Sequence, residues 1–123
     1  MTLKKAQEIF SKLIKLMSYN TRKNQEYAAG LSNAYTRAYR LLQESPFEGG
    51  TTTPLTNEEL DEIIFILNNR KKNAQSYISA YLLQVLVVDK DIVDEGDTQH
   101  LLFFLGCVTG LEASICILER IEL

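Results

Sequence analysis

Glu59 and Glu62 stand three residues apart, and so do Asp91 and Asp94. On a helix that spacing places both carboxylates of a pair on one face. Hard oxygen donors in such an arrangement suit a magnesium ion, which polarises phosphoryl oxygens. The acidic run from Asp89 to Asp97 also invites comparison with a calcium-binding loop. Counted from Asp89, Asp91 takes the third position, but Val93 takes the fifth and Asp94 the sixth, where the sharp turn needs Gly. His100 falls at the twelfth position in place of the bidentate Glu. The run therefore reads as an acidic, solvated turn.

The paired carboxylates are similar to the ExxE and ExxD pattern with which the all-helical nucleotide pyrophosphohydrolases hold magnesium against a diphosphate. That resemblance implies a magnesium-dependent nucleotide pyrophosphohydrolase as a third functional reading, behind the two developed below. The chain departs from the pattern: the second pair reads DIVD, it falls in an expected loop, and Lys90 is the one base beside it. It is not assigned to that family. Other chemistries lack parts. His100 is the sole histidine and sits at an expected helix start, with no Ser or Cys placed for nucleophilic catalysis. Cys107 and Cys116 lie about 13.5 Å apart along an expected helix, too far to bridge, and read as reduced, buried, small hydrophobic residues. No Cys/His set has zinc spacing. The segment Ser45 to Leu55 has glycines but not the Lys-Ser/Thr of a phosphate loop, and reads as a connector. The expectation is no catalytic residue, no metal, no cofactor and no enzyme.

Charge is the stronger functional signal. The net charge is −3, but it is segregated along the chain. Residues 1–40 hold eight bases against two acids, and residues 73–123 hold eight acids against two bases. Lys4, Lys5, Lys12, Lys15, Arg22, Arg37 and Arg40, with Lys23 at the margin, fall on one side of a helical wheel. They form a candidate surface for a protein or nucleic-acid partner. The competing expectation is that acidic helices neutralise this face within the fold.

The elements that would carry these groups are helical. At about 100° per residue, Leu3, Ala6, Ile9, Phe10, Leu13, Ile14, Leu16 and Met17 form one apolar stripe. Tyr27, Ala28, Leu31, Ala34, Tyr35, Ala38, Tyr39, Leu41 and Leu42 extend it without a phase jump. The reading favours one continuous or kinked helix over residues 3–44, with a break near Asn20 as the alternative. The next helix starts at Thr56, where Thr56 and Glu59 make a capping box and Leu55 with Leu60 a staple, and it is expected to run to about residue 88. Its acidic first turns complement the helix dipole. Its Tyr77 and Tyr81, like Tyr27, Tyr35 and Tyr39, pair a buried ring with a hydroxyl that needs a polar partner.

The last helix is expected from Thr98 to near Glu122, capped by Asp97 or Thr98. It is apolar nearly all round, with Glu112 as its only charge before Glu119. Leu102, Phe103, Gly106, Gly110, Ala113 and Ile117 form a candidate dimer interface or domain core, and a membrane span is the less favoured alternative because Glu112 lies near its middle. The composition, 46% hydrophobic and 24% charged, is that of one globular domain over residues 1–123. No signal peptide is expected, because Lys and Ser interrupt the first apolar run, and a cytoplasmic location follows as an expectation. The expected fold is all-α, an elongated antiparallel bundle of three long helices, or four if the first or second breaks. The expected function is a small non-enzymatic protein-binding module, an adaptor, assembly factor or inhibitor acting through helix faces. A homodimer is expected, and nucleic-acid binding by the basic helix is the alternative.

Overall fold

The computed structural model of the protein describes residues 1–18, 25–43, 55–84 and 95–123. These residues form four helices: α1 (Leu3–Ser18), α2 (Gln25–Gln43), α3 (Asn57–Leu83) and α4 (Glu95–Glu119). No strand occurs among the described residues. The all-α bundle is thus the four-helix form of the expected architecture.

One continuous helix over residues 3–44 is corrected. α1 packs along α2, which two parts of a single straight helix cannot do. The junction near Asn20 lies outside the described residues. The unbroken hydrophobic phase misleads for a physical reason: α1 and α2 each need one apolar face toward the same core, and the length between them preserves the phase.

Helix directions follow from contacts at the ends. The Met1 amino group donates to the Arg120 carbonyl (3.0 Å), and the Glu122 amide donates to the Met1 carbonyl (2.7 Å). α1 therefore begins where α4 ends. Gly30 meets Phe103, Gly106 and Cys107, while Gly110 meets Leu31 and Ala34, so α2 and α4 run parallel. Tyr77 stacks on Phe104, and Arg70 shares a cavity wall with Leu111, so α3 runs antiparallel to α4. Consecutive helices alternate in direction. The strongest packing joins α2 to α4; α1 lies on α2, α3 lies on α4, and α2 barely meets α3.

The α2–α4 seam is built from small residues. Gly30, Ala34 and Ala38 recur every fourth residue on α2, and Gly106, Gly110 and Ser114 do so on α4; all six are buried. A methyl group added at Gly106 would strike the Tyr27 carbonyl and lie 3.1 Å from the Gly30 Cα. One added at Gly30 would strike the Phe103 carbonyl. The backbones therefore approach more closely than the roughly 8–10 Å between axes of ordinary packed helices allows for side chains. Ser114 tolerates this burial because its hydroxyl donates to the Gly110 carbonyl within its own helix (2.7 Å).

Local signals set the helix starts. Thr2 caps α1, its hydroxyl accepting from the Lys5 amide (3.1 Å). Thr56 caps α3, accepting from the Glu59 amide (3.2 Å) and donating to the Glu59 carboxylate (3.1 Å). Leu60 is buried, and Leu55 packs against the same cluster. α3 runs unbroken through its polar middle to Leu83; residues 85–88 of the expected helix lie outside the described set. α4 starts at Glu95, not Thr98, so the last residues of the expected 89–97 loop are helical. With alternating directions, one end of the bundle holds most of the core: Ala6, Phe10, Leu42, Leu60, Ile63, Leu67, Leu111, Ile115, Leu118 and Ile121.

Gly106→Ala is expected to lower unfolding stability in urea or thermal melts by about 1–3 kcal/mol, the usual cost of overpacking. That exceeds the roughly 0.5–1 kcal/mol which Ala gains over Gly in a helix. An unchanged or raised melting temperature would mean that the seam is not closed at Gly106.

Candidate functional site

The structure divides the basic face. Lys4, Lys5, Lys12 and Lys15 are exposed on the outer side of α1, facing away from Ala6 and Phe10, which are fully buried. Arg40 is exposed on α2. Arg22 and Lys23 lie outside the described residues. Arg37 does not join the lysines. It turns into a groove whose floor is α4 and whose walls are α2 and α3.

That groove contains a cavity of about 290 Å³. Asn33, Ala34 and Arg37 line it from α2; Arg70, Asn73, Ala74 and Tyr77 from α3; Phe103, Phe104, Cys107 and Leu111 from α4. The groove exists because α2 and α3 each pack on α4 but scarcely on each other. Ala34 and Ala74 are short, so the walls stand apart. Tyr77 and Phe104 stack with centroids 4.1 Å apart, and Phe103 meets Phe104 edge to face at 5.6 Å. Stacking of this kind holds an aromatic wall in a fixed orientation.

Arg37 and Arg70 are close enough to feel one another. Burial first, and then the Arg37 charge, lower the Arg70 guanidinium from its ordinary value. Burial pushes the Cys107 thiol up, and the same Arg37 charge acts in the opposite direction. Among the described residues neither arginine has an ion-pair partner. The positive character of this cavity arises from tertiary juxtaposition: Arg37 comes from the basic N-terminal third, and Arg70 from the polar middle of α3.

The remaining candidates are placed as follows. Glu59 is engaged in the α3 cap, and Glu62 is exposed one turn on; Asp91 and Asp94 lie outside the described residues. Among the described residues no three His, Cys, Asp or Glu side chains gather at metal-binding spacing. Gly106 and Gly110 face α2, while Ala113 and Ile117 pack against the core cluster. Leu102 and Phe103 are half-buried. Glu112 is exposed, in line with Leu105, Thr109, Cys116 and Glu119 on the outer strip of α4. The expected burial of Cys116 is therefore corrected: it faces solvent while Cys107 is buried, because nine residues place the two on opposite sides of the helix. By length and composition alone, Gln99–Glu119 is also apolar enough to cross a membrane. In the bundle its inner side supplies the core and the glycine seam.

Sequence reasoning missed Arg70 as a partner of Arg37. A signal was present, since Arg70-x-x-Asn73-Ala74-x-x-Tyr77 is a mixed helical face with one base, one amide and one ring. Only the packing on α4 shows what it faces. Comparison with protein-family models, with curated proteins and with solved structures finds no match for this chain.

The two thiols should separate cleanly. A disulfide reagent at pH 8 should modify one thiol rapidly, and Cys116→Ser should remove that fast phase. Cys107 should react at least about tenfold more slowly, because it is buried and holds its proton to higher pH. The sign for stability follows: the folded state keeps the Cys107 proton above the ordinary thiol pKa, so this group costs no stability below that pKa and lowers stability as pH rises through it.

Proposed function

We propose that the protein is a small, non-enzymatic protein-binding module that docks through the end of the bundle where α3 finishes and α4 begins. The observation that carries this reading is the uneven burial of the two ends. The first half of α3 buries Leu60, Ile63 and Leu67, whereas Ala74 is the only buried residue of its second half. Leu82 is 40% and Leu83 63% exposed, and Leu105 of α4 is 38% exposed. Leu101, Leu102 and Phe104 nearby are only half-buried. Grouped leucines left in water on a helical surface are the usual mark of an association face.

A second copy of the chain is the occupant we infer first. Its apolar end would match this one about a two-fold axis, each covering the other. The exposed leucines are carried on helix faces, a surface that suits recognition of another protein. The nucleic-acid alternative now rests on Lys4, Lys5, Lys12 and Lys15 of α1, because Arg37 is turned elsewhere.

Sedimentation of the wild-type protein should give a dimer mass, and Leu83→Lys with Leu105→Lys should give a monomer with unchanged helical circular dichroism. A wild-type protein that stays monomeric up to about 100 µM, a concentration well above that of stable dimers, would remove the homodimer. If the same two substitutions also left capture of native-host partners unchanged, this end would not be the docking surface.

A further inference from the structure

We propose that the cavity over α4 between α2 and α3 binds a small phosphate monoester carried on a flat ring, a nucleoside or aryl monophosphate, with Arg37 and Arg70 on the phosphate and the ring against Tyr77 and Phe104. The site is separate from the docking end and does not depend on that reading.

Charge is the first argument. Two guanidinium groups, one from each wall, line the same cavity, and no carboxylate is in its described lining. Their mutual repulsion is relieved by an anion placed between them. A phosphate monoester carries about −1.5 to −2 charges at neutral pH, close to the two positive charges that face it. Guanidinium forks also match phosphate oxygens in pairs. Asn33 and Asn73, one from each wall, add amide groups for ester or sugar oxygens.

Shape is the second. The cavity of about 290 Å³ lies at the lower limit of clefts that take small ligands, roughly 300–1,000 Å³. It suits one ring and one phosphate better than a polymer. Three of its lining residues are aromatic, and Tyr77 and Phe104 are stacked at 4.1 Å, with 30° between planes. Tyr77 is 48% exposed, so part of its ring is open to a third flat group. Stacking on such a platform distinguishes a ring-bearing phosphate from a bare one. Among the described residues the cavity lining holds no carboxylate or histidine, and its one thiol, Cys107, is buried and kept protonated. The expected event is therefore binding without turnover.

The test is a titration of the full chain, followed by amide chemical shifts or calorimetry, with phenyl phosphate, adenosine monophosphate, inorganic phosphate and adenosine as probes. The two ring phosphates should bind at least about tenfold more tightly than inorganic phosphate or the neutral nucleoside, one factor of ten being about 1.4 kcal/mol. Shifts should centre on α2, α3 and α4 around the cavity. Arg70→Ala, at an exposed position, and Arg37→Lys, which keeps the charge but not the fork, should each weaken binding by about tenfold or more, as loss of a charged hydrogen-bonding group does. Both should retain the wild-type melting temperature to within a few degrees. Lys12→Ala on α1 should bind as the wild type does. The proposal is overturned if neither ring phosphate binds at millimolar concentration, if inorganic phosphate binds as well as they do, or if Arg70→Ala and Arg37→Lys bind like the wild type. Each of these results is independent of whether Leu83→Lys and Leu105→Lys disrupt assembly.

Discussion

The contact of backbone with backbone at Gly30 and Gly106 is the constraint on which the bundle depends. Neither helix can carry a side chain there without striking the other's carbonyl oxygen. Once α2 and α4 are drawn this close, they act as one central pair with two outer sides. α1 takes the side of α2, and α3 takes the side of α4. Dispersion contacts and tight approach reward small residues only when they meet other small residues in register. The four-residue repeats Gly30-Ala34-Ala38 and Gly106-Gly110-Ser114 supply that register for parallel helices.

The groove between α2 and α3 is a consequence of the same geometry. Two helices lying on a third, each packed to it more closely than to one another, leave a channel above the shared floor. Arg37 and Arg70 enter it from opposite walls. Each would be unremarkable on an isolated helix. Their meaning lies in being neighbours across a channel whose floor is aromatic and apolar, where charge is screened less than on the open surface.

The core is concentrated at one end of the bundle, where Phe10, Ile63, Leu67 and Leu118 are fully buried. Toward the other end α2 and α4 stay closed on their seam of small residues, while Leu82 and Leu83 of α3 and Leu105 of α4 are left exposed. The packed core and the exposed Leu82, Leu83 and Leu105 are thus separated along the bundle axis.

The helical class, the α3 cap at Thr56 and the long run of α3 through its polar middle were legible in the residues, because each rests on period or spacing within a dozen positions. The Gly106–Gly110 pair was legible as a packing motif, though its counterpart on α2 was not read beside it. The separation of α1 from α2 was hidden because hydrophobic phase reports which way a face points, and the number of residues between the two helices keeps the phase of a single long one. The exposure of Cys116 and Glu112 was hidden because an almost wholly apolar helix gives no sign of which narrow strip faces water. The sequence by itself determined that the chain is helical, where α3 begins and which residues are small enough for close approach. The tertiary structure alone decided that Gly30 meets Gly106, that Arg37 leaves the lysines of α1 for Arg70, and which leucines stay in water. Those outcomes depend on which helix lies beside which, and residues separated by 33 positions, as Arg37 and Arg70 are, or by 76, as Gly30 and Gly106 are, carry no local pattern that encodes it.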